Sequence, residues 1–241
     1  AKEATGGACG QVDNSGVICD GSDDVRLAVT VGGGLVQSSY YFTNPHGLRF
    51  LAVDGQCRFY VLGSMRKEVL SGTLSAEDAE LLANEINYGG LERWDGMAIS
   101  EQGPDCGGTA MMKPPAAAFR CDCRCDAQGG DLAAAMRGAL SWIERSAERG
   151  APLTGPVRAI AVETTNVGVT PKDWPLSRAI AAIPGLITRD RPSATSGALF
   201  SDAGEAAALR ALRTSSGGQI VIVQESGSAQ LYELHVRDEL P

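Results

Sequence analysis

Histidine is nearly absent from this chain of 241 residues, which contains only His46 and His235. A histidine-rich metal centre or a catalytic triad needs imidazoles held beside other reactive groups. His46 lies between Pro45 and Gly47, a pattern typical of an exposed turn. His235 belongs to an alternating terminal segment, so we expect it to face solvent or a neighbouring strand. The sequence therefore disfavours both kinds of centre.

A surplus of basic charge is also missing. The chain has 21 basic and 29 acidic residues, a net charge of −8, and no run rich in lysine or arginine. Nucleic acids and anionic membranes bind basic surfaces, so neither is expected as a partner. No apolar stretch reaches the roughly 18 residues that a transmembrane helix needs. A signal segment is not present either, and we expect that an exported precursor carried one.

Cysteine is the most informative residue that is present, with seven copies. Three of them alternate with other residues at Cys121, Cys123 and Cys125. On one face of a strand, successive side chains lie about 6.5–7 Å apart, whereas disulfide-bonded Cα atoms usually lie about 4.4–6.8 Å apart with converging Cβ atoms. If their segment is extended, these three are poor partners for one another. The other cysteines lie elsewhere in the chain: Cys9, Cys19, Cys57 and Cys106.

Disulfide connectivity stays open, because seven is odd and at least one thiol must be free, modified or paired between molecules. We expect a local Cys9–Cys19 bond, with Cys57 and Cys106 each bonded to one cysteine of the 121–125 cluster. Such bonds are typical of proteins exported to an oxidising compartment. The unpaired cysteine would allow a covalent homodimer.

A soft-metal site is the alternative use of the same cluster. Zinc sites usually place two to four residues between paired cysteines, and the Zn–S distance is about 2.3 Å. One intervening residue is too few for a zinc knuckle in an extended strand. A tight loop would still gather Cys121, Cys123 and Cys125, with or without Cys106, around copper(I) or zinc.

Aspartates crowd the N-terminal region at Asp13, Asp20, Asp23 and Asp24. Calcium prefers such oxygen ligands in a glycine-containing turn. The spacing does not match the calcium-loop pattern of alternating aspartates followed by glycine. A solvated acidic loop is therefore the favoured interpretation.

Periodicity predicts the secondary structure. Strands are expected at 25–31, 48–53, 58–62 and 157–162, with a terminal hairpin at 219–224 and 229–236. Helices are expected from Ser75 to Gly89, with Leu81, Leu82 and Ile86 as the apolar stripe, and at 131–149, 174–183 and 202–213. Residues 91–130 are expected to be irregular. Antiparallel hairpins with helices packed on one face predict an α+β fold, stabilised here by disulfides.

Three regions are predicted along the chain. Residues 1–24 form a tail rich in cysteine, glycine and aspartate, 25–130 an α+β lobe with a Cys-rich link, and 131–241 a helix-rich lobe ending in a hairpin. Glycine-led strands precede a capped helix in both halves, which suggests two related lobes. One continuous domain is the alternative.

Residues 9–21 carry a short cysteine motif, Cys9-Gly10-Gln11-Val12-Asp13 followed by Gly16 and by Cys19-Asp20-Gly21. The motif resembles the Cys-rich repeats of exported myxobacterial-type proteins, with Val17-Ile18 in place of their usual glutamate. The resemblance implies a secreted or lipid-anchored protein of unknown activity, placed in the periplasm, at the cell surface or outside the cell.

Three functional hypotheses follow. The first is a non-catalytic module that binds a protein or a small ligand, or that assembles in the envelope or outside the cell. The second is soft-metal binding through the cysteine cluster. The third is a hydrolase, for which acidic residues are plentiful but none pairs at an informative spacing. No organic cofactor is expected, because the sequence contains neither a phosphate loop nor a dinucleotide-binding glycine motif.

Overall fold

The structure is a computed structural model. It describes residues 16–32, 49–63, 68–96, 98–100, 109–113, 119–122, 130–165, 168–188, 196–215 and 220–240. These residues form two β-sheets, three α-helices and short 3₁₀ segments. Most strand pairs are antiparallel. The predicted α+β class is confirmed.

The first sheet contains eight of the described strands. In chain order they are β1 (Val25–Gly32), β2 (Arg49–Asp54), β3 (Arg58–Leu62), β4 (Leu70–Thr73), β5 (Ala98–Ser100), β6 (Thr109–Lys113), β7 (Phe119–Asp122) and β8 (Ala151–Pro152). Their order across the sheet is β5-β7-β6-β1-β2-β3-β4-β8. Antiparallel neighbours from β1 to β4 form a meander, and β5 pairs parallel to β7. The turn at Asp54-Gly55 joins β2 to β3, as the sequence predicts.

Two helices cover one face of this sheet. The first, α1 (Ala76–Glu85), begins at Ser75, whose hydroxyl accepts a hydrogen bond from the Asp78 amide at 3.0 Å. The second, α2 (Asp131–Arg149), buries a mixture of small and large side chains, among them Ala135, Met136, Ala139 and Trp142. Side chains of both helices and of β1 to β4 form one core, which includes Leu27, Val53, Leu82, Met136 and Trp142. None of the described helices combines the length and apolar character needed to cross a bilayer.

The second sheet is built from later parts of the chain. Its strands are β9 (Val157–Thr164), β10 (Lys172–Asp173), β11 (Ala198–Phe200), β12 (Ile220–Gln224) and β13 (Leu231–Asp238). Their order is β10-β12-β13-β9-β11, so the predicted terminal hairpin supplies the central strand, β13, and its neighbour β12. Helix α3 (Ala203–Ser215) packs on one face, where Leu209, Val223 and Leu234 are buried in a second core.

Three details of the sequence-based prediction are wrong. Leu81 was expected in the apolar stripe of α1 but is 45% exposed. The helix expected at 174–183 is instead an irregular stretch with a 3₁₀ turn at Ile180–Ala182. Residues 91–130 were expected to be irregular but contain strands β5, β6 and β7. These strands are only three to five residues long, too short for a clear alternation.

A third apolar cluster lies on the opposite face of the first sheet. It contains Phe50, Ala52, Tyr60, Leu62 and Leu153, and Leu240 from the chain after β13 packs against it. The end of the second sheet is therefore in contact with the first sheet.

Asp238, the last residue of β13, lies beside this cluster and carries a buried ion pair. Its side chain is 1% exposed and accepts hydrogen bonds from Arg210 Nε at 2.6 Å and Arg213 Nη2 at 3.0 Å. Both arginines belong to α3, so the pair fixes that helix to the end of its sheet. The Val69 amide, next to β4, lies 3.5 Å from the same carboxylate.

The lobe boundaries stay predictions. Helix α2 begins at Asp131, where the helix-rich lobe was expected to start, and its buried residues belong to the core of the first sheet. Residues of the second core begin at Val157. That the chain contains two structurally related lobes likewise stays a prediction.

Candidate binding site

Residues 16–24 lie across the turn between β2 and β3. The Gly21 amide donates to the Gly55 carbonyl at 2.7 Å, and the Gly55 amide donates to the Asp24 carbonyl at 3.0 Å. A side chain at Gly55 would overlap Asp20 Oδ1 and Ser22 Oγ, so glycine is required for this close approach. The backbone itself therefore attaches this segment to the sheet.

A disulfide completes the attachment. Cys19 is bonded to Cys57, with their Cα atoms 5.0 Å apart. Cys57 follows the turn, has a positive φ of 64°, and donates its amide to the Asp54 carbonyl at 3.0 Å. This bond corrects the expected pairing, because it excludes both the Cys9–Cys19 loop and a bond from Cys57 to the 121–125 cluster.

The strand order gives the physical reason for the correction. Cys121 lies in β7, four strands away from β3. Four inter-strand spacings of about 4.8 Å amount to roughly 19 Å, far beyond the reach of a disulfide, about 4.4–6.8 Å between Cα atoms. Cys9, Cys106, Cys123 and Cys125 lie outside the described residues, as does the side chain of Cys121. Their pairings stay predictions, and an odd number of cysteines, seven minus two, remains to be paired.

Three of the described aspartates in and near this segment contact arginines. Asp20 lies 3.3 Å from Arg26, and Arg58 contacts Asp23 at 2.9 Å and Asp54 at 2.6 Å. Hydrogen bonds from Ser22 hold the pKa of Asp20 below its usual range. Within the described residues no three His, Cys, Asp or Glu side chains are grouped to hold a metal ion. Asp13, part of the calcium hypothesis, lies outside them.

A pocket of about 470 Å³ lies between residues 16–19 and helix α1. Pockets that bind small molecules usually measure about 300–1,000 Å³ and have mostly apolar walls with a few polar groups. The described residues that line this pocket are Gly16, Val17, Ile18, Cys19, Cys57, Ala76, Ala79, Glu80, Ala83 and Asn84. By size and by composition the pocket falls in the ligand-binding class.

The spacing of alanines on α1 leaves this space open. Ala76, Ala79, Glu80 and Ala83 follow the i, i+3, i+4, i+7 spacing, so they lie on one face of the helix. Alanine projects only one methyl group, and a larger apolar residue at these positions would fill the gap between helix and segment. The disulfide holds the opposite wall in place.

Glu80 is the only charged residue among the described residues that line the pocket. Its carboxylate is exposed and forms no hydrogen bond or ion pair with the described residues. Two other acids of the helix are engaged elsewhere. Arg149 contacts Asp78 at 2.7 Å and holds the pKa of that carboxyl below its usual range, while Glu85 accepts bonds from Trp142 and Arg145.

The predicted metal site receives no test from the described residues. Cys121 lies in an extended strand, as the argument against a zinc knuckle assumed. The other proposed ligands, Cys106, Cys123 and Cys125, lie outside the described part of the chain. Copper or zinc binding therefore stays a prediction.

His235 is buried at 1% exposure, so of its two expected positions, facing solvent or facing a neighbouring strand, the first is wrong. Its Nε2 lies 2.9 Å from Glu233 on the same strand, and its Nδ1 has no hydrogen-bond partner among the described residues. Burial lowers the pKa of the imidazole, and Glu233 opposes the shift. His46 lies outside the described residues.

The pocket was missed because its signal is a set of small residues. Alanines at i, i+3 and i+7 on a capped helix were visible in the sequence, but small residues there are equally typical of close packing. Only the position of Cys19 against Cys57 distinguishes an open space from a filled one. That position depends on a contact between residues 38 apart in sequence.

Fold and pocket define a class: a disulfide-containing α+β protein with a small apolar pocket. Comparison of the chain with protein-family models, with curated proteins and with solved structures finds no significant match.

Proposed function

We propose that the chain is an exported, non-catalytic binding module whose ligand occupies the pocket between residues 16–19 and α1. The observation that carries the proposal is the pocket itself, which measures about 470 Å³ and has mostly apolar walls. The disulfide supports a preformed site, because Cys19 and Cys57 both line the pocket and the bond fixes their positions relative to each other. A preformed site loses less conformational entropy when its ligand binds.

The chemistry of the lining supports binding rather than catalysis. Nucleophilic catalysis needs a nucleophile next to a general base. The two cysteines that line the pocket are bonded to each other, so neither offers a thiolate. Among the described lining residues, Glu80 and Asn84 supply the remaining polar side-chain groups, and the Glu80 carboxylate has neither a nucleophile nor a second acid beside it in this lining.

Export is supported by the same bond. Disulfides persist in oxidising compartments and are rare in a reducing cytosol. We expect peptide mapping of protein alkylated without reductant to yield one linked pair of peptides containing Cys19 and Cys57. Recovery of both cysteines in alkylated form would contradict export.

The pocket is tested by filling it. Ala76 is the first residue of α1, is exposed and lines the pocket. We expect 1-octanol, a neutral apolar probe, to shift the NMR amide signals of Ile18, Ala79 and Ala83 in a saturable way. Ala76→Leu should abolish these shifts, because the larger side chain occupies the probe's space.

The matched control is Ala203→Leu. Ala203 is the first residue of α3 and is exposed, but α3 packs on the second sheet and Ala203 does not line the pocket. This variant should bind 1-octanol like the wild type. Equal loss in both variants, or no saturable shift in the wild type, would contradict the proposed site.

A further inference from the structure

The ligand class follows from the charge at the rim of the pocket, provided that the pocket is the binding site proposed above. Glu80 is the one charged residue among the described lining residues, and it has no ionic partner among them. Glu77, one turn away on α1, is also exposed and acidic. The chain as a whole carries a net charge of −8. The field at the pocket therefore attracts cations and repels anions.

The other described lining residues are mostly apolar, so they favour a ligand with an apolar part. Val17 is 46% exposed and lines the pocket, so its aliphatic side chain is accessible to a ligand there. Ile18, the alanines of α1 and the Cys19–Cys57 bond continue the apolar surface. Apolar area removed from water contributes about 25 cal/mol per Å² to binding. A ligand that satisfies both features has an aliphatic part and a single cationic end.

We propose that the ligand of this pocket is an aliphatic amine, whose ammonium group pairs with the Glu80 carboxylate and whose chain lies against Val17, Ile18 and the disulfide. Asn84, one helical turn after Glu80, adds a side-chain oxygen that accepts a hydrogen bond from the same ammonium. No proton or group transfer is involved, so the complex forms and dissociates reversibly.

Three probes of equal chain length separate charge from apolar contact: octylammonium, 1-octanol and octanoate. Calorimetry at neutral pH and low salt should rank their affinities in that order. Raising the ionic strength should weaken octylammonium binding and leave 1-octanol binding unchanged, because salt screens only the ionic part.

Glu80→Gln provides the decisive variant. It removes the charge and keeps the shape, so octylammonium affinity should fall about fivefold, as expected for a partly exposed ion pair. Affinity for 1-octanol should not change. The matched control is Glu77→Gln, which makes the same substitution on the same helix at a residue that does not line the pocket. This control should retain octylammonium affinity within about twofold, the effect of a screened, more distant charge.

The outcomes are distinguishable. If all three probes bind equally and Glu80→Gln has no effect, the amine is wrong while the pocket remains a binding site. If none binds, the proposed function fails and the amine with it. Two further results would overturn the amine: a dimer in sedimentation that Ala76→Leu dissociates, or binding that appears only after deletion of residues 1–15. The first would assign the pocket to a second copy and the second to the chain's own N-terminal segment.

Discussion

Replacing both cysteines of the Cys19–Cys57 bond with serine is expected to lower the free energy of unfolding by about 4 kcal/mol. The two residues are 38 apart in sequence, so the bond removes a large loop entropy from the unfolded chain. Urea denaturation of the wild type and of the double variant measures the difference. Both residues are replaced together because a single substitution leaves a thiol that exchanges with the remaining cysteines.

The same variant is expected to lose 1-octanol binding, because residues 16–19 form one wall of the pocket and are no longer held to Cys57. Reductant supplies the control. Added to both proteins, it should remove most of the difference between them, whatever the other cysteines do. A difference below about 1 kcal/mol without reductant, in the range of an ordinary surface substitution, would show that this bond does not form in solution.

Local sequence signals predicted the elements that depend on neighbours in the chain. Asp54-Gly55 between two apolar runs predicted the β2–β3 hairpin, and Ser75 predicted the start of α1. In each case the deciding contacts join residues a few positions apart. The helix predicted at 174–183 is wrong for the opposite reason, because the Trp174 amide donates to the Gln224 carbonyl of β12, fifty positions later.

The sequence did not predict which distant strands and cysteines pair with each other. The order of the first sheet places β6, from the middle of the chain, beside β1, and nothing within β6 indicates that neighbour. The disulfide depends on the same kind of information, because Cys57 reaches Cys19 only after residues 16–24 dock on the turn. The pocket depends on the same long-range contact between residues 16–19 and the turn. The alanines of α1 were visible in the sequence, but the position of residues 16–19 opposite them was not.

Asp238→Asn is expected to lower the free energy of unfolding by roughly 3 kcal/mol. The substitution keeps the side-chain shape but removes the negative charge that faces Arg210 and Arg213. The guanidinium of Arg213 is only 3% exposed, so water does not take over the role of the carboxylate. Breaking a buried pair from one side is costly because the other charge stays in a low-dielectric surrounding.

Glu205→Gln is the matched control for Asp238→Asn. Glu205 also pairs with an arginine and also involves helix α3, but its partner Arg178 is 49% exposed. Exposed pairs contribute about 0.2–1 kcal/mol, so this variant should stay within about 1 kcal/mol of the wild type in urea. Because Asp238 lies beside the Val69 amide next to β4, we also expect amide exchange at Val69 to accelerate in Asp238→Asn but not in Glu205→Gln. Equal destabilisation by both variants would mean that the buried ion pairs of Asp238 stabilise the protein no more than the exposed pair of Glu205 does. Unchanged exchange at Val69 would mean that Asp238 does not stabilise the contact between the two sheets.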